Sequence, residues 1–220
     1  MIQTAFKNRM VWMFAAATMV FCMAMEAIPA QAADRVVVVP LGGQRGAPVA
    51  KTGQTTSYRT GDDGDLQKGV SVSGRFKDHN NGTVTDGLTG LIWLKDGQCL
   101  EFFQNDPKSA ANARSWAEAI DSANKLASGY CGLNDSSKAG DWRLPNWKEL
   151  GSLIDLGQVN PAMPEDCPLA ASTTMFFYYW MSTTYAVSVN SAWMVNFNNG
   201  NDSTSDKSNN HYVRPVRGGK

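Results

Sequence analysis

Gly140-Asp141-Trp142-Arg143-Leu144-Pro145-Asn146-Trp147-Lys148-Glu149-Leu150 is the stretch that decides the fold. Pro145 has no amide proton to give a ladder and fixes its own φ, so it closes a strand and pre-sets a turn. Asn146 is a good helix N-cap, and Glu149 three residues later completes a capping box. Leu150, Leu153 and Ile154 then fall on one helical face, and Gly157 ends the helix. One polar turn therefore converts a strand into a helix.

Upstream, the periodicity predicts a longer helix over Ser109–Ala127. Trp116, Ile120, Ala123 and Ala127 form its apolar stripe, Arg114, Glu118, Asp121 and Lys125 lie outside it, and Gly129 supplies the stop. Thr83–Asp86 and Leu91–Lys95 read as short strands around a turn at Asp86-Gly87, and Lys51 onward through Gly61-Asp62-Asp63-Gly64-Asp65 as mostly loop. Downstream, Tyr178–Ser182 and Ser191–Phe197 are aromatic and β-branched. Asn198–Asp202 marks a turn or long loop, and His211–Arg217 a terminal strand. Two helices packed on short antiparallel strands make an α+β domain, expected over 51–219.

The 220 residues carry 20 basic and 20 acidic side chains, a balance that removes the electrostatic case for nucleic acid. With only two His in the chain, a His-based metal or acid–base centre is hard to assemble. Seven Trp and twenty Gly instead suit a turn-rich domain with an aromatic core, for which Trp93, Trp142, Trp180 and Trp193 are the candidates. Arg143 and Arg214 lie in strand-like segments, and a buried Arg needs a carboxylate or several carbonyls, so an ion pair with Asp141, Asp86 or Glu149 is expected for each, the rival reading being an anion-binding pair.

The first residues differ from the rest. Lys7 and Arg9 precede an apolar run, Met10–Met25, that ends at Pro29-Ala30-Gln31-Ala32. This is the pattern of a secretory signal peptide over 1–32, with a Gly/Pro-rich linker over 33–50. The expected address is secreted or periplasmic, with no membrane span after cleavage. Of the four cysteines, Cys22 leaves with the leader. Cys99, Cys131 and Cys167 allow three pairings. Cys99–Cys131 is favoured because both flank the longer helix, and Cys167 is then a free thiol or a link to a second chain.

Three blocks carry a family resemblance: Gly82-Thr83-Val84-Thr85-Asp86 with Thr89-Gly90-Leu91-Ile92-Trp93, Gly140–Asn146 with Glu149-Leu150, and Tyr179-Trp180 with Ala192-Trp193 and Val213–Arg217. From about Lys51 to Gly219 the chain resembles the Lcl C-terminal domain family, formerly a domain of unknown function, named after a collagen-like bacterial surface adhesin. The resemblance implies a C-type-lectin-like fold, distantly similar to formylglycine-generating enzymes. For the adhesin it implies binding of sulfated glycans.

Three kinds of site follow from the residues. Asp78, Asn80 and Asp86 beside Gly82 form an oxygen-rich loop of the kind calcium uses, although the family more often carries Asp-Asn-Gly-Asp-Gly where this chain has His79 and Asn81. The same side chains suit an Asx-turn hairpin, and Asp62, Asp63 and Asp65 invite the same two readings. A nucleophile with a His base has no signature motif around His79 or His211, and the resemblance to formylglycine-generating enzymes lacks a late reactive cysteine. For glycan, stacking rings and planar amides are offered by Trp193, Asn196, Asn198, Asn199, Asn201 and Asp202, with Arg214 joining Lys207, Arg217 and Lys220 in a basic strip for sulfate. The chain is therefore expected to be non-catalytic, without cofactor apart from the calcium candidate, and to bind glycan or a surface protein, with a homo-oligomer as a further partner; the alternatives are an envelope structural or assembly module and, last, an enzyme on a scaffold like that of the formylglycine-generating enzymes.

Overall fold

The computed structural model describes residues 48–99, 113–172 and 178–219. The leader, most of the linker, Ser109–Asn112 and Lys220 lie outside them. No helix among the described residues is long and apolar enough to cross a membrane.

Strands β1 (Phe76–Asp78), β2 (Thr83–Asp86), β3 (Leu91–Leu94) and β9 (Val216–Gly218) make an antiparallel sheet in the order β1-β2-β3-β9. A second sheet, order β4-β8-β5-β6-β7, contains β4 (Ala113–Arg114), β5 (Tyr178–Thr184), β6 (Ser191–Asn196), β7 (Asp202–Asp206) and β8 (His211–Tyr212). The helices are α1 (Asp63–Leu66), α2 (Trp116–Lys125) and α3 (Trp147–Gly151). The α+β expectation holds.

Alternation along β5 and β6 explains how the second sheet is covered. Tyr179, Met181 and Val195 point to one face and join Leu150 and Leu153 of the α3 region in one core cluster. Trp180, Ala192 and Met194 point to the other and join Ala119, Ala123 and Leu126 around α2 in a second cluster. Small residues on α2 let its axis approach, and two indoles bolt it down. Trp116 Nε1 donates to the Met181 carbonyl at 2.9 Å, and Trp180 Nε1 donates to the Arg114 carbonyl at 2.8 Å. Trp93, Trp142 and Trp180 are fully buried. Trp193 is only partly so, which corrects its place among the core rings.

The decisive turn behaves as read. Asn146 Oδ1 accepts from the Glu149 amide at 3.0 Å, and the Glu149 carboxylate accepts from the Asn146 amide at 2.8 Å. Arg143 bridges Val216 through backbone bonds in both directions, each 2.9 Å, and grips Glu149 with two 2.7 Å bonds. Pro145 stops the bridge as expected. Asn146→Ala is expected to cost about 1 kcal/mol of stability, the usual loss of a polar cap, in a urea denaturation series.

Several boundaries move. The longer helix starts only at Trp116, because Ala113-Arg114 pairs with β8 and Glu118 accepts from the Ser115 amide and hydroxyl at 3.1 and 2.6 Å. It ends at Lys125, where Leu126 turns extended, ahead of Gly129. The second helix stops at Gly151, well before Gly157, and Leu153 reaches the core from the following turn. The expected turn or long loop over Asn198–Asp202 is a short turn, and its last residue, Asp202, already opens a strand, β7. The terminal strand is two strands: β8 belongs to one sheet and β9 to the other, with Arg214-Pro215 crossing between them.

Candidate functional site

The capping box fixes where α3 begins, and so fixes Trp147 as its first residue. The Trp147 amide donates to Thr183 Oγ1 at 3.0 Å, and its Nε1 donates to Asp202 Oδ2 at 3.1 Å. The residue remains 40% exposed. Opposite residues of an antiparallel pair share a face. Register therefore sets Trp193 beside Thr204 and Val195 beside Asp202, with both pairs on the Trp147 side of the sheet. Tyr185 stands edge-on to Trp193, ring centroids 5.4 Å apart. The result is an aromatic face of Trp147, Trp193 and Tyr185 with the Asp202 carboxylate between strand and helix.

Of the sequence candidates, this face unites Trp193 and Asp202. The asparagines do something else. Asn196 Oδ1 accepts from the Asn198 amide at 2.8 Å, Asn199 Oδ1 accepts from the Asn201 amide at 3.1 Å, and the Asn196 amide donates to the Asn201 carbonyl. They build the β6–β7 turn by capping its backbone. Asn196 alternates with Val195 and so points away from the Trp193 face. Asn199 and Asn201 stay exposed at the turn, and Asn198 is half-buried.

Arg214 is not on any rim. It is 0% exposed, and its guanidinium donates to the Leu94 and Lys95 carbonyls at 3.2 Å each. A Cβ on Gly97 would collide with Arg214 Nη2, so the backbone at 97 closes directly over it. Of the rest of the basic strip, Lys220 lies outside the described residues and the other two are engaged within the fold. Lys207 Nζ donates to Thr184 Oγ1 and the Val189 carbonyl and sits 4.0 Å over the Trp116 ring, while Arg217 pairs with Asp135 at 2.9 Å.

The calcium set is not brought together either. Asp86 is buried and takes a bidentate grip from Arg75, at 2.6 and 2.5 Å, along with the Thr89 hydroxyl and the Leu88 amide. Asp78, near the other end of the hairpin, pairs with Lys95 at 2.5 Å and caps the Asn80 amide. Both carboxylates are paired with cationic side chains, and the bonds they accept from the Asn80 and Leu88 amides are the contacts an Asx turn makes. Asp62 likewise caps the Tyr58, Arg59 and Asp65 amides, Asp65 the Gly61 amide, and Asp63 accepts from the Thr52 hydroxyl. Among the described residues no group of three or more His, Cys, Asp or Glu could hold a metal ion.

The nucleophile candidates are dispersed. His79 hydrogen bonds with Thr85 on the first sheet, and His211 with Ser205 on the second. Burial pushes the His211 imidazole down, and its ring is edge-on to Trp180 at 4.6 Å. Burial also pushes the Cys167 thiol up to about 11, against the opposing pull of the Leu169 backbone, Arg214 and Arg75. A thiol held protonated is a poor nucleophile.

Sequence reasoning missed Trp147 and Tyr185. Trp147 stands three and seven residues before Leu150 and Ile154, spacing that assigns it to the buried stripe, yet at the first turn its ring reaches solvent. The signal that finds it is its position directly after the cap, where a helix begins at its sheet's margin.

Compared with protein families, residues 82–217 match the model described as Lcl C-terminal domain, a match running from the β1–β2 turn into β9. No curated protein matches the chain.

Proposed function

Because the chain belongs to the Lcl C-terminal domain family, we propose that it is an exported, non-catalytic recognition protein of adhesin-like type, binding carbohydrate on the Trp147–Trp193–Asp202 face. The observation that carries this is the face itself. Sugars present apolar C–H surfaces that stack on flat rings and hydroxyls that need fixed acceptors, and here two indoles flank a positioned carboxylate.

A neutral sugar suits it better than a sulfated one, since Lys207, Arg214 and Arg217 are each engaged within the fold. Calcium is not required, because Asp78 and Asp86 are held by Lys95 and Arg75. A C-type-lectin-like classification draws support from the two sheets, the last strand returning to pair with β3, and the helix on each face of the larger sheet. The non-catalytic reading draws support from the raised pKa of the Cys167 thiol and from the separation of the histidines, His79 bonded to Thr85 of one sheet and His211 in a strand of the other. The leader over 1–32, the linker over 33–50 and the domain over 51–219 complete the proposal.

A glycan array probed with and without calcium tests it. Neutral glycans are expected to bind equally in both conditions. Trp147→Ala and Trp193→Ala should each weaken the best ligand about tenfold, the worth of one stacked ring. Unchanged binding in both variants, or no glycan bound at all, would remove the ligand claim.

A further inference from the structure

A groove of about 850 Å³ opens beside α3, on the flank formed by α3 and the segment that enters the domain. Its volume is in the range of small-molecule sites. The walls are apolar: Val49, Leu88, Leu91, Ile154 and Leu156, with Trp147 at one edge. Val49 is 81% exposed and Leu156 52%, an uncommon exposure for side chains that converge on one concavity.

The charged lining is two lysines and one carboxylate, and Lys51 also borders the adjoining cavity lined by Asp155, Glu165 and Asp166. Lys51 and Lys148 both border the groove. Among the described lining residues Glu149 is the one carboxylate, and it is committed twice over, to the Arg143 guanidinium and to the Asn146 amide. The lining hydroxyls are committed too: Thr52 donates to Asp63, Thr89 to Asp86 and Ser152 to the Glu149 carbonyl. An apolar trough with two lysines in its lining, and with its own acid neutralised, complements a ligand with an apolar body and one negative end.

We propose that this groove binds a single-chain amphiphilic carboxylate of the fatty-acid type, its acyl chain along Leu88, Ile154 and Leu156 and its carboxylate at Lys51 and Lys148. A concave trough fits one chain, whereas a bilayer needs a flat or protruding apolar face. This site is separate in charge and shape from the sugar-binding face, and Trp147 is the one residue they share.

The test is calorimetric titration of the purified protein with dodecanoate below its micellar concentration, against dodecanol as the uncharged counterpart. Dodecanoate is expected to bind, and dodecanol about tenfold more weakly, as one half-buried and one exposed charge contact allow. The Lys51→Gln/Lys148→Gln double variant should lose that tenfold preference while dodecanol binding stays unchanged. Leu156→Asn, at an exposed position that spares the core, should weaken both probes. Trp193→Ala and Asp202→Asn should leave dodecanoate binding intact, so failure of the sugar reading is read separately. Equal binding of both probes, no effect of the lysine substitutions, or no binding of either would overturn the proposal.

Discussion

Asp86→Asn is expected to lower the free energy of unfolding by about 3–5 kcal/mol, the usual cost of removing one partner of a buried ion pair. Asp86 is fully buried, and the Arg75 side chain is almost so. Arg75 also donates to the Ser152 carbonyl at 2.9 Å, which ties the first hairpin to the turn after α3. Taking away the carboxylate's charge strands a guanidinium in the interior, and that stranded charge, more than the lost contact, is the cost. The companion variant separates the two. Arg75→Met/Asp86→Asn removes the stranded charge, while the carboxamide introduced at position 86 can still accept from the Leu88 amide. The double variant should therefore be more stable than Asp86→Asn alone. Simple additivity of the two single effects in urea denaturation would contradict a charge-based account.

The same pair predicts a pH dependence. Burial alone would raise the Asp86 carboxyl, but the Arg75 guanidinium and the Thr89 hydroxyl outweigh it and hold the group below its ordinary value of 3.8. A carboxylate whose folded pKa is depressed stabilises the fold fully above its unfolded pKa. That contribution falls as acid approaches the folded value, because the unfolded chain then binds the proton more readily. The stability gap between the parent chain and Asp86→Asn should therefore be constant near neutrality and narrow below about pH 4. A gap that stays constant into strong acid would mean that Arg75 is not what holds the carboxylate ionised.

What was legible in the sequence is what short-range chemistry decides. Asn146 and Glu149 satisfy each other's backbone within one turn, and Asp86-Gly87 reverses the chain between two hydrophobic runs, so both features can be read from a few neighbouring residues. Long-range pairing hides the rest. Ala113-Arg114 has helical neighbours and becomes a strand only because Tyr212 and His211 offer it an edge. Asp202–Asp206 shows no apolar alternation, since an edge strand with both faces half-wet needs none, and its ladder to β6 is carried by backbone groups that every sequence has. Arg75 gave no hint of its role, as its partner lies across a hairpin. For the candidate site, the residue types were readable but their grouping was not. Trp193 and Asp202 reach one face through the β6–β7 register, while the asparagines between them are spent on the turn that sets it. Arg214, read as a ligand contact, is drawn inside because the chain must cross from one sheet to the other at that point.

Breaking the Cys99–Cys131 bridge should cost about 3.5–4 kcal/mol by the loop-entropy relation for a separation of 32 residues. For a domain of this size that corresponds to a melting temperature lowered by about 10 °C. The reason lies in where Cys131 sits. After Lys125 the chain runs without helix or strand as far as the Arg143 bridge, held by turn bonds such as Ser128 to Ser137 and Gly129 to Leu133. Such a segment adds little cooperative stability of its own, so a covalent tie there mainly restricts the unfolded chain. Both sulfurs are in buried residues of the α2-side core, whereas Cys167 is buried in the other cluster. The three readings of the cysteines therefore give different results. Peptide mapping of the non-reduced protein is expected to show Cys99 linked to Cys131, with Cys167 alkylated only after denaturation. The Cys99→Ala/Cys131→Ala variant should melt lower and without a change in the Cys167 reactivity pattern. A peptide linking Cys167 to either partner, or a variant with unaltered melting, would show that the chain is fastened elsewhere.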